Sequence, residues 1–495
     1  MEIVFIGFFP VGRGFLKENF IFAGCLIFLI ILYMSVTTVK KTKSKFTRAF
    51  WVANTVELLE RAAYYGVFVV ITLYLSNVLG FTDIQAATIA GIFSACLYFL
   101  PTFSGALADK IGFRKSMLLA FALLTLGYLG LGLFPNFLES TGLVEYGFET
   151  RFTGLRESGY RYGIIPIMVL IVVGGSFIKS VISGTVAKET DESNRARGFA
   201  IFYGMVNIGA FSGKVLVTPL RDSMGHEGMI VLNYFSAAMT FLALIAIYLL
   251  YKSDKHAGEG KTFGQIWKAL VKVCTNGRLI VLILIITGFW MVQHQLYATM
   301  PKYVTRLAGE GSAIGWYANV NPLVVVLTVN LITQLMRKKS ALLSMTIGMF
   351  IMPVSALCMA SGNMLGSGEI LGLHPVAFMM IVGIVFQGLA EVFISPRFLE
   401  YFSLQAPKGE EGMYLGFSHL HSFLSSIFGF GLSGYLLSKY CPDRALFANE
   451  ADWMAASANA HYIWYYFAAI ALISAVALII YGQVVKRLDK HEQLG

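Results

Sequence analysis

The chain has 495 residues, of which 57% are apolar and only 13% charged, against roughly 25% charged in an ordinary soluble protein. With 40 phenylalanines and so few charges, a water-facing surface cannot be covered; lipid must be the solvent for much of the chain, which excludes soluble globular, disordered and nucleic-acid-binding classes. The net charge of +10 then reads as Lys and Arg gathered in cytoplasmic loops rather than as a footprint for an anionic partner.

Apolar runs of about 20 residues, the length that crosses a hydrocarbon core, predict helices over 19–37, 50–76, 84–108, 115–134, 162–187, 197–220, 228–251, 279–300, 312–336, 340–361, 372–404, 412–438 and 461–486. The first, FIFAGCLIFLIILYMSV, stands apart from the even set and is followed by Lys40, Lys41, Lys43, Lys45 and Arg48. Three readings of it stand: a signal-anchor with an outside N-terminus, upstream sequence from a misjudged start with Met34 as the real one, or a cleaved signal peptide. The last is disfavoured because no small-residue cleavage site follows, and residues 1–40 are set aside from the mechanism.

The other twelve spans divide six and six around a polar segment carrying Lys252, Lys255, Lys261, Lys268, Lys272 and Arg278. The organisation expected is an extension and basic linker over 1–49, a first six-helix bundle over 50–251, a cytoplasmic linker over 252–278, a second bundle over 279–486 and a cytoplasmic tail over 487–495. Alternate loops are basic, with Lys110, Arg114 and Lys115, then Lys188, Arg195 and Arg197, the linker, Arg337, Lys338 and Lys339, and Lys486, Arg487 and Lys490. These loops are expected in the cytoplasm, with both core termini inside, in the plasma membrane (the inner membrane of a bacterium). Five widely separated cysteines, Cys25, Cys96, Cys274, Cys358 and Cys441, have no paired spacing and read as packing residues.

Ionisable groups inside these spans are the informative residues, since each costs about 2.5–3.5 kcal/mol on insertion scales and is retained for a pathway or a partner. In NTVELLERAAYYG, one helix face carries Glu57, Glu60, Arg61, Tyr64 and Tyr65. Two Glu and one Arg leave an acid without a local partner, so it needs another cation or a proton. Lys179, midway along its span with no acid within a turn, is the expected partner of Glu57 or Glu60. Lys214 is read as snorkelling toward the external end. In the second half, Glu391 precedes Ser395 and Pro396, Asn321 precedes Pro322, and Trp290 and His294 share a face four residues apart. His419 and His421 read as packing. There is no G-x-x-x-x-G-K-[ST] phosphate loop, no room for a nucleotide-binding domain, and no nucleophile, base and orienter at a recognisable spacing. Neither an enzyme nor a cofactor is expected.

These residues resemble the proton-coupled oligopeptide transporters of the major facilitator superfamily, over essentially the whole chain after residue 50. Glu57-Leu-Leu-Glu60-Arg61 with Tyr64-Tyr65-Gly66 is similar to that family's first-helix E-x-x-E-R-F-x-Y-Y-G motif. Phe202-Tyr203 with Asn207 and Gly209 is similar to its fifth-helix F-Y-x-x-x-N-x-G signature. Gly105, Asp109, Gly112 and Arg114, with Lys115, resemble the superfamily's general gating and fold motif between helices two and three. Lys179, Glu391 with Ser395-Pro396, Tyr98 before Pro101, and Asn321 also fall at family positions. The chain departs from the pattern at Ala62, where the motif has Phe; at Phe68, where many members carry a second Arg; and at His294, where an acid is frequent.

The resemblance implies an all-α integral membrane fold of two six-helix bundles, and a functional monomer that imports di- and tripeptides with protons through a midplane site in the lipid bilayer. Arg61 and Lys179 would hold the substrate's carboxylate, Glu391 its ammonium, and Asn207 and Asn321 its amides. Tyr65, Tyr98, Tyr203, Trp290, His294 and Ser395 would line the pocket, and Glu57 or Glu60, alternating between Lys179, Arg61 and a proton, would couple transport. The same fold carrying another small solute, such as a modified amino acid, nitrate or a drug-like compound, and a non-transporting sensor remain as alternatives.

Overall fold

The computed structural model describes residues 46–492 apart from 146–154, 156–157, 191–194, 253–261, 337, 367 and 405–416. The helix expected over 19–37 lies outside the described residues. The other twelve expected spans each correspond to a helix or a broken helix.

In the first half these are α1 (Arg48–Phe68), α2 (Asp83–Phe99), α3 (Phe113–Ser140), α4 (Ile164–Lys188), α5 (Arg195–Val215) and α6 (His226–Leu250). The second half holds α7 (Gly277–Gln293), α8 (Ile314–Met336), α9 (Ala341–Ser361), α10 (Pro375–Leu404), α11 (Leu420–Tyr440) and α12 (Tyr462–Glu492). Several spans are broken. α1 bends by 44° into the pieces Ile71–Leu73 and Tyr74–Val78, the second a π-helical turn. α2 resumes as Pro101–Ile111, and α7 continues through Gln295–Ala298 and Met300–Ala308. Among the described residues, eight helices are long and apolar enough to cross a membrane, or nine counting bent α1 as one span.

Local chemistry sets the helix starts. Thr47 caps α1 by accepting from the Phe50 N–H at 3.2 Å, and Thr82 and Gln85 form a reciprocal capping box on α2. The segment over 252–278, expected as a polar linker, also contains the helix Phe263–Cys274. Its signals are a second capping box, Thr262 with Gln265, and an apolar stripe of Phe263, Ile266, Trp267 and Leu270 at helical spacing. Ile266 and Leu270 are buried, and the Phe263 ring stacks on Phe103 at 4.9 Å.

Small residues let the helices that shape the centre approach closely. A Cβ at Gly209 of α5 would stand 2.4 Å from the Leu58 carbonyl oxygen of α1, and one at Gly213 would stand 2.2 Å from that of Ala62. The two halves meet along α2 with α11 and α5 with α8. Gly434 of α11 lies against Ala87 and Asp83, and Gly315 of α8 lies against the Lys214 backbone.

Candidate substrate and proton site

On α1, Arg61 Nε lies 3.1 Å from Glu57 Oε1 and 2.5 Å from Glu60 Oε2, and all three side chains are buried. One cation thus faces two carboxylates, as the spacing predicts, and Glu57 Oε2 is buried without a hydrogen-bond partner. Gly209 holds α5 tight against this turn, since a Cβ there would meet Arg61 Cβ at 2.7 Å. Lys179 of α4 points elsewhere than expected: its ammonium sits 3.6 Å from the centroid of the Tyr98 ring, a close cation–π contact. No carboxylate among the described residues lies within 4.0 Å of it, so the ion pair expected with Glu57 or Glu60 is not formed in this conformation. The physical reason is proximity, because Arg61 reaches both acids from within the same helical turn.

The second half contributes a carboxylate held by neutral donors. Glu391 of α10 accepts from Asn321 Nδ2 at 3.2 Å and from Gln293 Nε2 at 2.7 Å. Asn321 and Glu391, expected to hold different parts of the substrate, here bond to each other, and Gln293, beside the Trp290–His294 face of α7, is a partner the sequence did not single out. Ser395, one turn beyond Glu391, has a buried hydroxyl without a partner. Trp290 stacks face to face with His421 at 5.3 Å and 6°, and His421 Nδ1 lies 2.9 Å from Ser422 Oγ. His421, expected as packing, is thus part of this aromatic wall. His294 lies 3.4 Å from Ser425 Oγ, and its ring is 6.3 Å from Tyr98 across the interface between halves.

Tyr65 reaches the same interface, its ring 6.2 Å from that of Tyr297. Phe68 stacks on Tyr64 at 4.9 Å and neighbours Phe93, Tyr297 and Phe430, so an apolar plug stands where the family pattern would place a charge. Asn207 lies on α5 two residues before Gly209, partly buried. The side chains of Tyr203 and Asp109 lie outside what the structure describes. In the remaining loop motif, a Cβ at Gly105 would stand 3.1 Å from the Ser180 side chain, Gly112 has φ +89°, and Arg114 Nη2 donates to the Tyr248 carbonyl at 2.8 Å, tying the α2–α3 turn to the end of α6.

A second charged group escaped the sequence. At the end of the molecule away from the basic loops, Asp83 of α2 takes Lys302 at 2.8 Å and a two-pronged contact from Arg306 at 2.7 and 2.8 Å. Lys302 also donates to Ser76 at 2.5 Å, and Arg306 to the Cys441 carbonyl at 2.7 Å. Arg221 pairs with Glu310 at 3.0 Å nearby. Every ion pair between described residues of the two halves is at this end; deeper along the α2–α11 contact, Ser94 and Ser426 meet at 2.9 Å. Asp83, Lys302 and Arg306 sit near helix ends, where sequence alone cannot separate a buried pair from a solvated one.

The Major Facilitator Superfamily model matches residues 54–369, well over half of the chain. The chain belongs to the Major Facilitator Superfamily. Within that superfamily, the dipeptide and tripeptide permease A of Citrobacter koseri is 27% identical over 288 residues, covering 55% of this chain and 51% of the permease. That of Erwinia pyrifoliae is 25% identical over 257 residues, covering 51% and 46%. The chain spans about half the length of the curated relatives it matches. Its fold is shared with a solved proton dependent oligopeptide transporter (TM-score 0.66, 18% identity, 90% of this chain and 100% of the other). It is shared equally with an auto inhibited POT family peptide transporter (TM-score 0.66, 18% identity, 88% and 97%).

Proposed function

We propose that this Major Facilitator Superfamily member imports di- and tripeptides by proton symport, with alternating access around a midplane site. The observation that carries the reading is that the two halves bring buried cations and a buried carboxylate toward one interface: Arg61, faced by Glu57 and Glu60, and Lys179 on the first, and Glu391, held by neutral amides, on the second. A zwitterionic peptide spans such a site with its carboxylate toward Lys179 and Arg61 and its ammonium toward Glu391. Asn207 and Asn321 meet its amides, and Tyr65, Tyr98, Tyr203, Trp290, His294 and Ser395 line side-chain space without demanding one side chain. The peptide permeases and peptide transporters it is similar to support the same substrate class.

Coupling rests on the two carboxylates facing Arg61. A proton on Glu57 or Glu60 relieves the excess negative charge there and frees the guanidinium for substrate; loss of that proton on the other side reverses this. One proton moved down about 100 mV gains about 2.3 kcal/mol, and one pH unit adds about 1.4 kcal/mol, together supporting accumulation of roughly a few hundredfold. The protein works as a monomer in the inner membrane, with both core termini in the cytoplasm, as the basic loops suggest. A second reading, another small solute on the same fold, is favoured by one observation: Phe68 fills part of the site with an apolar cluster.

The test is uptake of labelled di- and tripeptides into proteoliposomes with an inward proton gradient and membrane potential imposed or collapsed, alongside Glu57→Gln and Lys179→Ala. Accumulation should vanish with the gradient and in both variants. Peptide exchange without gradient-driven accumulation would keep the substrate and overturn the coupling, and no peptide movement by folded protein would favour the other solute.

A further inference from the structure

Lys214 is the buried cation that the peptide scheme leaves unused. It lies on α5 and is 2% exposed, so it does not reach the external surface as its place in the sequence suggests. Its stem emerges where the halves touch: a Cβ at Gly315 of α8 would stand 2.3 Å from the Lys214 carbonyl oxygen. The ammonium lies 4.9 Å from the Tyr65 ring centroid and 5.5 Å from that of Tyr297, both on the central interface. Its one hydrogen bond is a 3.5 Å contact to the Ala318 carbonyl, and no carboxylate among the described residues is within 4.0 Å of it. An ammonium has three protons to place. One long bond and two ring faces leave it short of what water would have provided, and burial without a counter-ion is the expensive case.

The position of the nearest acid says what would complete it. Ala318 and Asn321 are three residues apart on α8 and share a face, and Asn321 donates to Glu391. Lys214 therefore touches α8 about one helical turn from the amide that holds Glu391, the carboxylate assigned to the peptide ammonium. Glu57 and Glu60 are engaged by Arg61, so a zwitterionic peptide that spans Lys179 and Glu391 leaves Lys214 as a surplus cation beside its N-terminal residue. We infer that Lys214 is a specificity residue that receives a carboxylate on the side chain of the peptide's first residue, so that dipeptides beginning with Glu or Asp are preferred over neutral ones. This rests on the peptide reading above.

The experiment measures KM for Glu-Ala, Ala-Glu and Ala-Ala in proteoliposomes at one fixed proton gradient, for the wild-type protein, Lys214→Gln and Lys214→Arg. The wild type should take Glu-Ala with a KM about tenfold below that of Ala-Ala, the order of one charge-assisted contact, and Ala-Glu should gain less. Lys214→Gln should bring the Glu-Ala to Ala-Ala ratio to about one, and Lys214→Arg should keep it. A wild-type ratio near one, or a ratio that survives in Lys214→Gln, overturns the inference while leaving peptide transport standing. Movement of none of the three peptides by folded wild type overturns the peptide reading itself. Should Lys214→Gln fail to fold, Lys214→Met takes its place in the same comparison, and a wild-type Glu-Ala to Ala-Ala ratio near one overturns the inference without any variant.

Discussion

Glu391 is held by two neutral amides, Gln293 and Asn321, and this arrangement positions a carboxylate without neutralising it. Glu391→Gln keeps the shape and some of the hydrogen bonding and removes only the charge. If the group takes a substrate ammonium, KM for dipeptides rises by roughly thirtyfold, about 2 kcal/mol, and competition assays with peptides blocked at the N-terminus show no such loss. Gln293→Ala should raise KM less, because it removes an aligning donor and leaves the charge. Glu57, Glu60, Arg61, Lys179 and Glu391 were legible in the sequence because each interrupts an apolar run at a real cost in lipid. Gln293 and His421 were not: an amide or a neutral imidazole on an apolar helix looks the same whether it packs or serves a site, and what decides is a partner such as Glu391 that lies 98 residues away. Lys214 was misread for a related reason. A lysine toward a helix end has one sequence whether it snorkels or is trapped at a crossing, and only the contact with Gly315 tells them apart.

At the scale of helices, the α1–α5 crossing carries the weight of the site, since it fixes where Arg61 and its two acids stand. Gly209 and Gly213 are four residues apart on one face of α5, each within 2.4 Å, as a Cβ, of a backbone oxygen of α1. Backbone cannot rotate away, so Gly213→Val must part the helices and costs about 1–3 kcal/mol as overpacking. A lowered midpoint of thermal unfolding in detergent, together with lost peptide uptake, is the expected result, whereas Gly204→Ala, with nothing within 4 Å of its Cβ, should leave the midpoint in place. Ala62 belongs to the same contact: its carbonyl faces Gly213. Most of the described helices were plain in the hydropathy because the bilayer demands length and apolarity from a span. The linker helix Phe263–Cys274 was hidden by its lysines, which raise the polarity of the window while its stripe still buries Ile266 and Leu270.

For the whole molecule, the proposed alternating access requires each end to open in turn, and the described ion pairs between halves all lie at one end. Asp83 is shared by Lys302 and Arg306, with Asp443 3.6 Å from Arg306 as a second acid and with Ser76 and the Cys441 carbonyl among their hydrogen-bond partners. Such a buried group adds little as an intact set, but removing one partner strands the others, at about 3–5 kcal/mol. Asp83→Asn keeps the size of the side chain and removes the charge that two cations share, so the closed form loses stability relative to the form open at that end. A penalty of that size is enough to move a two-state equilibrium from mostly closed to mostly open. Spin labels at Ile84 and Gly311, on the two sides of the seam, should report a longer and broader distance distribution in Asp83→Asn than in the wild type, with peptide uptake reduced because the closed state is no longer regained. An unchanged distribution would mean that the α2–α11 and α5–α8 crossings, through Gly434 and Gly315, close this end by packing alone. The charges would then be a consequence of closure and not its cause.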